Sequence, residues 1–116
     1  LTRHIFDYDP INPYADKEEF EPFDLQAHGE TWSDMRRLQD NGTYPGAFAA
    51  IDSPVLMLHG QYDPHPGKMI RDSLLPYLPQ LEYHEYERCG HSPWIERFAR
   101  EEFFSVIREW LIRKTN

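Results

Sequence analysis

The chain predicts an α/β fold organised around one strand–helix–strand unit, and three patterns between residues 54 and 94 carry that prediction. Val55-Leu56-Met57-Leu58 is an unbroken apolar run closed by Gly60, which suits a strand buried on both faces of a parallel sheet. From Pro66 to Leu78 the period changes: Met69, Ile70, Leu74, Tyr77 and Leu78 recur at helical spacing, with Pro66 and Gly67 at the start and Pro79 at the end. Leu81, Tyr83 and Glu85 then alternate with Glu82, His84 and Tyr86, a second strand. A βαβ unit follows, with a crossover expected to be right-handed.

The flanking elements read as follows. Residues 1–29 hold three prolines and many acids without a sustained period, and predict a solvated, irregular linker. Residues 31–41 predict a helix: Thr31 as N-cap with Asp34 three positions on, Trp32, Met35 and Leu38 along one core-facing stripe, and Gly42 as the stop. Residues 43–53 predict a connector in which Phe48 and Ile51 dock before the first strand. Residues 99–113 give the strongest helix, with Phe103, Ile107, Trp110 and Leu111 as an apolar stripe widened by Phe104 and Val106. Glu101 and Glu102 at its start, and Arg113 and Lys114 at its end, suit the helix dipole, while Lys114 to Asn116 are expected to fray.

Each predicted strand exits into a loop with a titratable group. Asp63 lies three residues past Gly60, and His91 lies in Arg88-Cys89-Gly90-His91-Ser92. Chemistry in open parallel sheets collects outside the carboxyl ends of the strands, so a carboxylate and an imidazole from neighbouring strands meet on one rim. An Asp that fixes a His tautomer and steadies its imidazolium is the non-nucleophilic part of a catalytic triad. Asp63 alone reads as a turn-forming residue before Pro64, and the partnership with His91 favours the acid role. Gly90 is expected to permit the tight turn presenting His91, Ser92-Pro93 to cap the next turn, and Trp94 either to shield His91 or to pack beneath it.

Leu58-His59-Gly60-Gln61-Tyr62-Asp63 resembles the acid-bearing turn of α/β-hydrolases, and Gly90-His91-Ser92-Pro93-Trp94-Ile95-Glu96 resembles their histidine loop. Ile51-Asp52-Ser53-Pro54 is similar to the entry into the acid-bearing strand, and the resemblance covers roughly residues 30–113. It implies the C-terminal portion of that fold: residues 30–116 as core, with 1–29 as an irregular linker or the end of a cap or lid. Asp63 carries over as the acid and His91 as the general base. In such a cap, Phe6, Tyr8, Tyr14, Phe20 and Phe23 would line a small-molecule substrate pocket. The bond cleaved would be a carboxylic ester or amide.

The departures are equally specific. No Gly-x-Ser-x-Gly occurs; Ser33, Ser53, Ser73, Ser92 and Ser105 all lie in other contexts, and no HGGG-type oxyanion motif is present. The nucleophile and oxyanion donors are expected upstream of residue 1. Two parallel strands would leave an apolar edge at Val55 that invites pairing with another chain or copy. With a start at Leu1 rather than Met, these features predict a fragment that is inactive alone. The competing reading is a non-catalytic interaction module pairing through that edge.

The net charge of −8 and a pI near 5.1 argue against nucleic acid. No apolar run approaches the roughly 20 residues that span a bilayer. A single cysteine, Cys89, fits a reducing compartment, with the cytoplasm as default. No cofactor is expected. His59, His65 and His91 with Asp63 offer zinc-type ligands, yet HExxH is absent and prolines stiffen the loop, so no metal is assigned. His59 is expected to pack at the strand end, and His65 to be a solvent-exposed loop residue. Cys89 adjoins Gly90-His91 but is disfavoured as a nucleophile, because adjacent residues rarely aim at a common atom.

Overall fold

The two predicted strands pair as read. β1 (Val55–Gly60) and β2 (Leu81–Tyr86) form a two-stranded parallel sheet in register from Val55↔Leu81 to Gly60↔Tyr86. The structure, a computed structural model, describes residues 3–13 and 22–115. Asn116 and the candidate pocket aromatics Tyr14 and Phe20 lie outside the described residues. A short helix α1 (Arg3–Phe6) and a long one, α2 (Leu25–Asp40), precede the sheet; α3 (Gly67–Leu74) crosses between the strands, and α4 (Arg100–Thr115) closes the chain. One-turn 3-10 segments occupy Gly46–Ala50 and Pro93–Ile95. Mixed helices with a small parallel sheet define an α/β arrangement.

Several boundaries shift for physical reasons. α3 stops at Leu74 rather than Leu78, because Pro76 brings no N–H and a ring that clashes with the preceding turn. α2 starts at Leu25, not Thr31: the Asp24 carboxylate accepts from the Ala27 N–H at 2.9 Å and is the true N-cap, while Thr31 donates its hydroxyl to the Ala27 carbonyl within the helix. Gly42 does end α2, with φ of 81° and its N–H on the Gln39 carbonyl. α4 runs on through Thr115, past the expected fraying point at Lys114.

Burial is lighter than the apolar patterns predict. β1 is half-buried along most of its length, since it has a neighbour on one edge only. Trp32 is 47% exposed and Leu111 49% exposed, so neither is core; Ile51 is exposed as well. α4 turns Phe103, Ile107 and Trp110 inward, and its C-terminal end is tied to β2 through Glu82. That carboxylate accepts from Trp110 Nε1 at 2.7 Å and pairs with Arg113 and Lys114 at 3.1 and 3.2 Å. The compact core is Tyr86, Cys89 and Ala99, with Leu58 and Phe103 packed against it. It lies directly beneath the loop that carries His91.

That loop is held by Glu96, which is fully buried. Its carboxyl oxygens accept the backbone N–H groups of Tyr8 (2.9 Å), Asp9 (3.0 Å) and Gly90 (2.7 Å). Around it, Ile11 N–H donates to the Ile95 carbonyl and Arg97 N–H to the Asp9 carbonyl, at 2.8 and 2.9 Å. Residues 6–11, read as part of a solvated stretch, are therefore bonded to the histidine loop. A buried N–H stripped of its acceptor costs about 1–3 kcal/mol. Glu96→Ala is expected to lower the unfolding free energy by about 3 kcal/mol, measured in urea. Amide exchange should accelerate at Tyr8, Asp9 and Gly90 more than in β2; unchanged exchange there would contradict the role of Glu96.

Candidate active site

The acid turn is stitched to the histidine loop before any side chain is considered. Gln61 N–H donates to the Tyr86 carbonyl and Tyr62 N–H to the Cys89 carbonyl, both at 2.8 Å, and Asp63 N–H returns to Gly60 at 3.0 Å. Gly60 is required here, because a Cβ would collide with the Gly90 and Cys89 carbonyls. The two strand ends are thereby locked side by side.

Across that seam Asp63 Oδ2 lies 2.7 Å from Nδ1 of His91. The expected pair is brought together, at hydrogen-bonding distance. The Asp63 side chain is 4% exposed and that of His91 54%, so the carboxylate sits behind an accessible ring. With an ionised carboxylate at Nδ1, the neutral imidazole carries its proton there and keeps its lone pair on Nε2. Burial works against ionising Asp63, but hydrogen bonds from the His65 N–H and from the His91 and His65 rings outweigh it and hold the carboxyl below its ordinary value of 3.8.

The other oxygen does separate work. Asp63 Oδ1 accepts the His65 backbone N–H at 3.0 Å and lies 2.8 Å from His65 Nδ1. The first of these is an Asx turn, so the turn-forming reading of Asp63 holds on one oxygen while the other faces His91. His65 is exposed as expected, yet it is a partner of Asp63, which its loop position did not announce. The spacing Asp63-Pro64-His65 was the available signal, since an Asx turn returns the chain to the carboxylate two residues on. His59 packs at the strand end with Nε2 on the His65 carbonyl at 2.9 Å.

The ring flanking His91 is Phe6, not Trp94. Phe6 stands edge-on to His91 with centroids 5.7 Å apart and stacks on His65 at 6.1 Å, while the His91 N–H donates to the Phe6 carbonyl. Trp94 is 47% exposed and contacts Phe103. Gly90 serves close approach rather than a left-handed turn: a Cβ would strike the Phe6 carbonyl, and the positive φ (49°) falls on Arg88. Pro93 opens its 3-10 turn as expected, but the Ser92 side chain makes no cap bond. Cys89 is fully buried, and burial, with the negative groups Glu96 and Asp63, pushes its thiol up to about 12, which rules against a thiolate nucleophile at neutral pH.

Comparison with protein-family models, curated proteins and solved structures returns no match. Among the described residues no helix is long and apolar enough to cross a membrane.

Because the folded pKa of Asp63 lies below its unfolded value, the ionised group contributes stability that is fully present above 3.8 and is lost as pH falls through the lowered folded value. The stability gap between wild type and Asp63→Asn should be widest near neutrality and close in acid. Urea midpoints taken from about pH 2 to 7 test this; a gap constant across that range would mean the carboxylate is not held ionised by its partners.

Proposed function

We propose that Asp63 and His91 are the acid and base of a nucleophile–His–Asp triad in a hydrolase of α/β-hydrolase type, acting on carboxylic ester or amide bonds in a small-molecule substrate. The observation that carries this reading is the 2.7 Å contact between Asp63 Oδ2 and His91 Nδ1 across the ends of two adjacent parallel strands. In the reaction, His91 Nε2 takes the proton of the attacking hydroxyl and later returns it to the leaving group. Asp63 stays ionised throughout, keeping the proton of the resting ring on Nδ1 and stabilising the imidazolium.

The nucleophile and oxyanion donors come from outside these 116 residues. The sequence holds no nucleophile elbow, and among the described residues no serine hydroxyl is bonded to His91. The open edges of the two-stranded sheet support strand pairing with the segment or chain that supplies them. A reducing, cytoplasmic setting suits the one free cysteine.

A fluorophosphonate probe read by intact mass tests the proposal on the 13.9 kDa chain and on the longest open reading frame that contains it. The short chain should stay unlabelled, and a serine outside residues 1–116 should take the label. His91→Ala should abolish that labelling, and Asp63→Asn should lower ester turnover by about 10⁴-fold, the loss that follows when a triad His adopts the wrong tautomer. Full labelling of 1–116 alone, or labelling of the longer product indifferent to His91, would overturn it.

A further inference from the structure

An orienting carboxylate needs one imidazole, and Asp63 holds two. The second, His65, does not itself bond His91; it bonds the other carboxylate oxygen. What the pair of rings does create is a convergent donor set: one ligand atom from each of Asp63, His65 and His91, all within 4.8 Å of one another. We propose that these three residues form a binding site for a first-row transition-metal dication of the zinc class.

The donor chemistry selects the ion. Two imidazole nitrogens with one carboxylate suit zinc and its neighbours, whereas calcium and magnesium prefer sets made of oxygen alone. Tetrahedral zinc with bonds near 2.0–2.1 Å places its ligand atoms about 3.4 Å apart, so the three atoms, now within 4.8 Å of one another, have to draw together around an ion. Three protein ligands leave a fourth position for water.

The frame is organised in advance. The 61–66 loop is bonded to β2 and to Cys89 through Gln61 and Tyr62, and the His91 loop is pinned by Glu96. His59 reaches the His65 carbonyl and steadies that side of the cluster from the second rank. The carboxylate is buried, while the two rings are about half exposed, which gives the ion a route in from solvent.

The site does not depend on the hydrolase reading, but one consequence does. Whichever ring nitrogen of His91 binds the ion, the arrangement of an Asp63-bonded Nδ1–H and a free Nε2 lone pair is lost. Metal-loaded and base-competent states would then exclude each other, and zinc would act as a reversible inhibitor of the triad.

Isothermal titration of 1–116 with zinc chloride is the test, with magnesium chloride as control. One zinc per chain is expected, with no magnesium binding. His65→Ala should weaken zinc by at least ~10–100-fold, the loss seen even for outer-shell partners of metal sites, while His28→Ala should leave it unchanged. Circular dichroism establishes that each variant keeps its fold. Should His65→Ala unfold, nitrogen-15 shifts of the wild-type histidine rings decide: zinc-induced changes centred on His65 and His91 support the site. Absence of zinc binding, affinity that survives the loss of His65, or ring shifts centred on other histidines would overturn it. None of these readouts involves hydrolysis, so the result stands apart from the probe experiment.

Discussion

One carboxyl group at the bottom of the histidine loop determines how the rest of the site is held. Glu96 takes backbone N–H groups from Tyr8 and Asp9 and from Gly90, more than eighty residues further along the chain, and does so with no exposure to water. Three donors that would otherwise need separate partners are satisfied at one point, which is the condition for burying such a group at all. The arrangement also dictates local sequence. Gly90 must lack a side chain because the Phe6 carbonyl occupies the space where a Cβ would go. Phe6, delivered by the same bonds, then flanks both imidazoles.

Above that anchor, Asp63 divides its two oxygens between local and long-range demands. Oδ1 shapes its own turn through His65, and Oδ2 reaches across the seam to His91. Turn formation and ring orientation therefore reinforce each other: the turn fixes the carboxylate that fixes the ring. This coupling explains why a partly exposed imidazole can be well placed on a sheet of only two strands. The backbone bonds from Gln61 and Tyr62 into the neighbouring strand and loop supply the stiffness that additional strands would otherwise give.

The strand pairing and the Asp63–His91 partnership were legible because each follows from short-range rules. An apolar run, a helical period and an alternating run impose a crossover, and a crossover puts the two following loops on one rim. What escaped depends on contacts distant in sequence or on a single overriding residue. Pro76 ended α3 inside a period that otherwise continued. Trp32 and Leu111 fit apolar stripes whose opposing surface is absent among the described residues. Asp24 capped α2 seven residues ahead of the expected cap, Thr31, because no apolar stripe marks the helix's first turns. Glu96 and Phe6 gained their positions from each other's neighbourhoods, a relation that no local pattern encodes.

α2 has no buried residue, and the hydrogen bonds of its side chains close within the helix or its own cap: Gln26 to Glu30, Thr31 to Ala27, Arg37 to Asp34. A sixteen-residue helix in that position is close to the length at which isolated helices are marginal in water, so its population answers to temperature and capping rather than to the core. The sheet and histidine loop, by contrast, melt together because they share their bonds. Far-ultraviolet ellipticity and tertiary signals from this chain thus report two different equilibria. The midpoint that answers to Glu96 and Asp63 is therefore the one read from tertiary signals rather than from ellipticity.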